Sequence, residues 1–270
     1  MLKKRKTIVS ILLAVMVAFA LCACGSDSDK KESEDSGGAP VEKEKDESSS
    51  GDSSAEEKED SGDADNGFKT GSKKFKTSKD GKVTILESGY GINESGTVTA
   101  GALLANKNSE KAFEYFGINV TAYAEDGSVV GTEEDTQSKI QPGEIRPFCT
   151  TIYDDKKKVK KVEIEVVEGD EIAADSDAVK SQDLSVSNIS ETDDKDMDWT
   201  EYTGILKNNG KKDIEDGYVI VLLKKKGKIV GAGYESGISV KKGSKKAFEL
   251  TTDGIFKHDK YEAYGFSEDI

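Results

Sequence analysis

Gly127-Ser-Val-Val-Gly131 and Gly227-Lys-Ile-Val-Gly231 are two matching stretches that lie one hundred residues apart. The same spacing relates Ile140-Gln-Pro-Gly143 to Val240-Lys-Lys-Gly243. Further matches, at this spacing or shifted by a residue or so, are Phe148 with Phe248 and Leu104–Ser109 with Leu206–Gly210. A repeat of this kind indicates that the chain contains two copies of one structural unit.

Each copy is predicted to consist of short β-strands joined by turns. Residues 159–167, VKKVEIEVV, alternate apolar and charged side chains, as expected for a strand with one buried face. Turn sequences such as Asp126-Gly127 and Asn209-Gly210 separate the strands. The predicted strands are Val83–Leu86, Val98–Ala105, Gly117–Ala124, Ser128–Thr132, Ile145–Ile152 and Val159–Val167 in the first copy, and Leu184–Ile189, Thr200–Lys207, Gly217–Lys224, Lys228–Ala232, Ser244–Thr251 and Lys260–Phe266 in the second. We therefore predict an all-β protein with two tandem β-sandwich domains.

The two copies resemble the FxLYD family of immunoglobulin-like domains from bacterial envelope proteins. The resemblance covers roughly residues 95–153 and 200–251, and depends on an Asn-rich turn, a hydrophobic strand, a hairpin with Gly and a Gly-containing turn before Phe. The motif that names the family falls at 120–124 and 220–224, where Tyr123 is its only match. The resemblance implies an immunoglobulin-like fold and an envelope location, and it implies no catalytic residue.

The N-terminus has the pattern of a secretory signal. Lys3-Lys4-Arg5-Lys6 precedes the apolar run TIVSILLAVMVAFALCACG at 7–25. Leu21-Cys22-Ala23-Cys24 resembles the lipoprotein box of bacteria, which implies cleavage between Ala23 and Cys24 and lipidation of Cys24. The apolar run is a little short for a membrane span of about 20 residues, although an uncleaved membrane anchor stays open as the alternative.

Changes of composition divide the chain into five segments. We expect a signal peptide at 1–23, a lipidated tether at 24–80, one domain at 81–168, a connector at 169–179 and a second domain at 180–270. The tether is dominated by Ser, Gly, Asp, Glu and Lys. Because it cannot bury enough apolar area to offset its ordering entropy, we predict that it is disordered.

Composition and charge argue against several functions. The formal net charge of -14 disfavours nucleic-acid binding, which needs clustered Lys and Arg to neutralise phosphates. The chain contains one histidine, His258, and no Ser or Cys motif that would pair with it in nucleophilic catalysis. We therefore expect a protein that is not an enzyme and has no cofactor, with His258 in an exposed loop.

Three weaker candidates for a site remain. Asp194, Asp196 and Asp198 alternate as carboxylates of a calcium loop do, but the sixth position lacks Gly and the twelfth lacks Glu. Cys149 lies beside Phe148, so alternation turns it away from the core, where it is either a redox thiol or a partly covered cysteine. The third candidate is a basic hairpin made of Lys224, Lys225, Lys226 and Lys228.

Three interpretations of the lysines in the basic hairpin are open. Its counterpart in the first copy is acidic, so the inversion could orient one domain against the other. The lysines could instead bind an anionic cell-wall polymer, or protect a strand edge from pairing with other chains. An aromatic surface patch would also indicate binding, and its possible members are Tyr90, Phe113, Tyr115, Phe116 and Tyr234.

These observations predict an extracytoplasmic lipoprotein, attached to the bacterial cell membrane through the lipid on Cys24. Its paired domains would serve as a non-catalytic binding or spacer module. The alternative is an accessory subunit for envelope transport or sensing that contacts a membrane protein. A deep pocket ringed by polar side chains would favour that alternative.

Overall fold

The computed structural model describes residues 73–153 and 159–268, and all of them belong to one compact unit, Asp60–Ile270. The predicted signal peptide and most of the predicted tether lie outside the described residues. The described part is all-β, with 68% strand and no α-helix, and it includes a 3-10 turn at Ser181–Asp183. The strands are β1 Val83–Ile92, β2 Val98–Asn106, β3 Lys111–Ala124, β4 Val129–Ile140, β5 Ile145–Ile152, β6 Val159–Val167, β7 Asp170–Ala173, β8 Leu184–Asp194, β9 Trp199–Asn208, β10 Ile214–Lys225, β11 Lys228–Val240, β12 Lys245–Thr252 and β13 Lys260–Ser267.

The prediction of an all-β fold is confirmed, and every predicted strand is present. The structure adds β7, Asp170–Ala173, inside the segment predicted as a connector. Polar and acidic residues made this segment resemble a linker, but it pairs with the N-terminal half of β3. Strands β1, β4 and β11 extend well beyond their predicted ends because polar stretches continue the pairing.

The two copies pair their strands in the same order. In the first copy, β1-β2-β5 form one sheet and β4-β3-β6 form another. In the second copy, β8-β9-β12 and β11-β10-β13 repeat these orders, and a pairing of Gly233 with Thr252 joins them into one six-stranded sheet. The repeat predicted from the sequence is therefore a repeat of topology.

A buried asparagine occupies the equivalent turn of each copy. Asn106 is fully buried, and its Nδ2 donates to the carbonyl oxygens of Lys111 and Ile140 at 2.9 and 3.1 Å. Its Oδ1 accepts from the N–H of Asn108 at 2.8 Å. Asn208, also fully buried, makes the same three bonds, to the carbonyl oxygens of Lys212 at 2.8 Å and Val240 at 3.1 Å and from the N–H of Gly210 at 2.8 Å.

Each copy has its own core, and a third apolar cluster joins the two copies. Strand β2 shows how, since all nine of its residues are buried. Its residues Ala102 and Leu104 face the core of the first copy. Leu103 faces the opposite way, into a cluster with Leu222 and Tyr264 of the second copy. The two copies therefore pack sheet against sheet with an apolar layer between them.

This packing leaves little room for a side chain at Gly101 on β2. A Cβ built on Gly101 would lie 2.9 Å from Leu222 Cδ2 and 3.3 Å from the Cβ of Ala232. A larger residue at 101 would therefore push the β2 backbone away from the second copy.

A buried ionic network adjoins the apolar layer. Lys224 Nζ lies 2.6 Å from Glu262 Oε2 in the second copy and 2.5 Å from Glu87 Oε2 in the first. The side chains of Lys224 and Glu262 are only 5% and 4% exposed. The Tyr264 hydroxyl donates to Glu262 Oε2 at 2.6 Å, and Lys73 pairs with Glu87. Charge pairing thus contributes to holding the copies together.

A second polar seam joins the copies at the turn between β4 and β5. Glu144 Oε1 accepts from the N–H of Ser181 at 3.3 Å and from its hydroxyl at 3.2 Å. Gln182 Nε2 donates to the carbonyl oxygen of Gly143 at 2.7 Å. The 3-10 turn at the start of the second copy is therefore bonded to the first copy.

The ionic network predicts a specific loss of stability in acid. Burial alone raises the pKa of Glu262, but hydrogen bonds from Lys224, Lys260 and Tyr264 outweigh it and lower the pKa to about 2 from an ordinary 4.5. Since the folded pKa is the lower one, this carboxylate stabilises the fold above about pH 4.5, and the stabilisation disappears as the pH falls towards about 2.

We expect Glu262→Gln to lower the urea midpoint at pH 7 and to flatten its decline between about pH 4.5 and about pH 2. The matched control is Glu249→Gln, because Glu249 is exposed on β12. A decline as steep in Glu262→Gln as in the parent chain would show that Glu262 does not contribute to it.

Candidate functional site

A cleft of about 710 Å³ lies where the two copies meet. Its walls come from β4 and β5 of the first copy and from β10, β11 and β13 of the second. Such a volume is within the range of about 300–1,000 Å³ that is typical of small-molecule sites. The cleft is the candidate site in the part of the chain that the structure describes.

Strand alternation aims side chains from both copies into the cleft. On β5, Phe148 and Ile152 enter the core of the first copy, so Cys149 and Thr151 point away from it and line the cleft. On β11, Ala232, Tyr234 and Ser236 line the other wall. A pocket built this way requires the two copies to be docked.

Aromatic rings form part of the floor and the rim. Tyr218 stacks on Phe266, with ring centroids 4.8 Å apart and an interplanar angle of 19°. Both residues line the cleft. At the rim, Tyr153 and Tyr234 are 71% and 54% exposed, so their ring faces are available to a ligand.

The lining is acidic. Glu134, Asp135, Asp253 and Glu268 line the cleft, whereas no Lys or Arg does. Burial raises the pKa of Glu268, and the charges of Asp135 and Asp216 add to this effect although Arg146 opposes it. The carboxylate of Glu268 is therefore close enough to Asp135, across the cleft, for the two charges to repel.

Asp253 connects the copies at the rim. Its Oδ2 accepts from the Thr151 hydroxyl at 3.0 Å and from the Tyr153 hydroxyl at 3.1 Å. Its backbone carbonyl accepts from Asn93 Nδ2 at 2.7 Å. Asp253 thereby fixes the position of Tyr153 relative to the second copy.

Gln137 brings a buried acceptor to the cleft. The residue is 5% exposed, and its Nε2 donates to Asp135 Oδ2 at 2.7 Å. Its Oε1 is buried and has no hydrogen-bond partner. A buried carbonyl oxygen without a donor is costly, so a ligand that donates a hydrogen bond would satisfy it.

Cys149 is free and half-buried in the cleft wall, facing away from the core of the first copy as alternation predicts. Burial, with a smaller contribution from the nearby Asp253 charge, raises the pKa of its thiol to about 12. Because thiolate is the nucleophile, this environment argues against a redox role.

We expect Cys149 in the folded chain to react with Ellman's reagent at pH 8 about a thousandfold more slowly than an ordinary thiol, since its thiolate fraction is that much smaller. Cys22→Ser and Cys24→Ser leave it as the only cysteine. The same chain in urea is the control and should react at the ordinary rate. Fast labelling of the folded chain would contradict the assigned environment.

The three aspartates proposed as a calcium site lie in the turn between β8 and β9. Asp194 Oδ1 accepts from the N–H groups of Asp196 and Met197, both at 3.0 Å. In residues 73–153 and 159–268, no group of three or more His, Cys, Asp or Glu side chains is placed to hold a metal ion. These contacts give Asp194 the role of a turn-capping residue.

The structure divides the four lysines of the basic hairpin. Lys224 is buried in the ionic network, whereas Lys225, Lys226 and Lys228 are exposed. Of the three interpretations, the contact with Glu87 supports the one in which this hairpin orients the copies. The partner is a strand of the first copy rather than its acidic hairpin.

His258 lies in a loop, as predicted, but it is not exposed. Its side chain is 11% exposed, Nδ1 lies 2.8 Å from the carbonyl oxygen of Phe256, and Nε2 lies 3.2 Å from Glu191 Oε2. These two partners position the ring as a bridge from this loop to β8.

The aromatic residues considered for a surface patch do not form one. Phe113 and Phe116 are buried in the core of the first copy, and Tyr90 packs against that core. Tyr115 is 60% exposed but does not line the cleft. Tyr234 is the only one of the five at the candidate site.

Comparisons with known proteins leave the family open, since no family model and no curated protein matches the chain. Among solved structures, the comparison gives the Lactobacillus farciminis oxalate decarboxylase formate complex, with 9% identity and a TM-score of 0.11. That alignment covers 71% of this chain and 85% of the other. So low a score carries no argument about fold or function.

None of the described residues belongs to a helix long and apolar enough to cross a membrane.

Proposed function

We propose that the chain is a lipid-anchored, extracytoplasmic binding protein and not an enzyme. The lipoprotein box that ends at Cys24 supports the anchor. Each copy, with the strand orders β1-β2-β5 and β4-β3-β6 or their equivalents, would be an immunoglobulin-like sandwich of the FxLYD type. The tether at 24–80 would hold the domains away from the membrane surface.

The cleft between the copies is the observation that supports binding over a purely spacing role. A spacer needs only two domains in series, whereas these copies are joined through an apolar layer and a buried ionic network. Docking brings Thr151 of one copy and Tyr234 of the other to the same cleft. We infer that the ligand binds there.

A polar-ringed cleft also favours the second candidate, an accessory subunit for transport or sensing. In that role the protein would capture a ligand in the cleft and present it to a membrane protein partner. The two candidates share the anchor and the cleft, and they differ in whether a membrane partner contacts the domains.

The anchor is tested by mass spectrometry of the mature protein from membranes of a bacterial host. The expected N-terminus is a diacylated or triacylated Cys24, and Cys24→Ser should release the chain into the soluble extracytoplasmic fraction. Cys149→Ser is the matched control and should stay in the membrane. An unmodified Met1 start, or a parent chain that remains in the cytosol, would refute the proposal.

A further inference from the structure

We propose that the cleft binds a small organic cation, a molecule that carries one or more ammonium groups. This inference rests on the proposed function, because it names the class of ligand for the same cleft. Three independent features of the lining support it: its charge, its aromatic rings and an unsatisfied buried acceptor.

The negative charge of the lining indicates a positively charged ligand. Four carboxylates line the cleft without a single Lys or Arg, in a chain whose lysines and arginines number 39. Asp253 has the hydroxyl groups of Thr151 and Tyr153 as partners. No described cation pairs with Glu134 or Asp135 within 4.0 Å. A bound cation would relieve the repulsion among these groups.

The aromatic rings favour an organic cation over a bare metal ion. Tyr153 and Tyr234 present exposed faces at the rim, whereas Phe266 stacks on Tyr218 and has the Arg146 guanidinium 5.0 Å from its ring centroid. An ammonium group binds the face of such a ring through its quadrupole, while its methylene groups cover apolar surface. A metal ion would instead need several converging oxygen ligands, and the described residues offer no such group.

Gln137 supplies the third feature. Its Oε1 is buried without a partner beside the carboxylate of Asp135. An ammonium group donates up to three hydrogen bonds and accepts none, so it could donate to the Asp135 carboxylate and, where it reaches the buried amide, to Gln137 Oε1. An anionic ligand could do neither, and it would meet four carboxylates.

The inference is tested by titrating the full chain, purified in detergent, with spermidine in a calorimeter. We expect saturable binding that weakens as salt is added, because the attraction is ionic. Citrate and 1,4-butanediol serve as anionic and neutral probes of similar reach, and neither should bind. Binding of citrate or butanediol with equal strength would overturn the charge assignment.

Variants then locate the binding. Glu134→Gln combined with Asp135→Asn should weaken spermidine binding about tenfold or more, and Tyr234→Ala several-fold. Glu134, Asp135 and Tyr234 are exposed, and an asparagine at 135 can still accept from Gln137 Nε2, so these changes should leave the urea midpoint nearly unchanged. The matched control is Glu249→Gln, which removes an exposed carboxylate outside the cleft. Equal affinity in every variant would show that spermidine binds elsewhere and would refute the inference.

The two proposals fail separately. A lipidated chain whose cleft does not bind spermidine would refute the cation inference and leave the anchor standing. A cytosolic, unlipidated chain would refute the proposed function, whatever its cleft binds.

Discussion

Lys224→Met is expected to lower the free energy of unfolding by about 3 kcal/mol, because it removes the cation shared by the buried Glu262 and the half-buried Glu87. Lys224 is 5% exposed and contacts Glu262 and Glu87 at 2.6 and 2.5 Å. Methionine keeps much of the apolar stem, so the loss reports the missing charge rather than a cavity. Urea unfolding of the full chain at pH 7, followed by circular dichroism, measures it.

Lys225→Met is the matched control, since it is the same change one residue along β10 at an exposed position. It should alter the free energy of unfolding by no more than about 0.5 kcal/mol. Equal losses in the two variants would mean that the lysine run acts as a whole through its charge, and would contradict the ionic network. A Glu87→Gln variant should recover little of the Lys224→Met loss, because Glu87 keeps Lys73 as its partner when Lys224 is replaced.

Asn208→Ala is expected to lower the free energy of unfolding by about 3 kcal/mol, because the turn after β9 loses the fully buried side chain that bonds three of its backbone groups. The substitution leaves the N–H of Gly210 and the carbonyl oxygens of Lys212 and Val240 without their bonds. Gly210 and Val240 are buried, so water does not readily replace the amide at those two groups. Urea unfolding with the same signal measures the loss.

Asn209→Ala is the control for this change. Asn209 is exposed, and its side chain makes one contact, from Nδ2 to the Ser185 hydroxyl at 3.2 Å. It should cost well under about 1 kcal/mol. Because Asn106 makes the same set of bonds in the first copy, Asn106→Ala should cost a similar amount. A near-neutral Asn208→Ala would contradict the role given to this turn in both copies.

Much of the fold could be predicted because its signals are local. Alternation in 159–167 and the paired Gly residues at 127–131 and 227–231 depend on neighbouring residues only, and each led to a strand or turn that the structure contains. Strand β7 was missed because Asp170-Glu-Ile-Ala173 is too short and too polar to show alternation. Its pairing with β3 depends on tertiary structure.

The sequence of β2 contains an indication that the two copies dock. Strand β2, VTAGALLAN, lacks polar alternation, which is typical of a strand buried on both faces. The partner on its second face could not be inferred from that pattern. Lys224 shows the same limit, since a run of lysines predicts a solvated hairpin and its partner Glu87 is 137 positions away in the chain.

The candidate site could not be predicted from the sequence, for a related reason. Its carboxylates come from β4, the segment after β12 and the end of β13, which no spacing rule connects. Tyr234 was considered as a surface aromatic, but its relation to Glu134 and Asp135 depends on how the copies dock. Counting charges along the chain could not show that neither lysine nor arginine lines this cleft.

The most direct test of the binding cleft is a backbone NMR titration of the full chain in detergent micelles with spermidine. Amide shift changes are expected in the cleft, at Glu134–Gln137 on β4, Thr151 on β5 and Ala232–Tyr234 on β11. The amide signals of the turn at 194–198 and of the exposed Lys225, Lys226 and Lys228 should keep their chemical shifts. Shift changes confined to residues outside the cleft, or none at saturating spermidine, would contradict binding in the cleft.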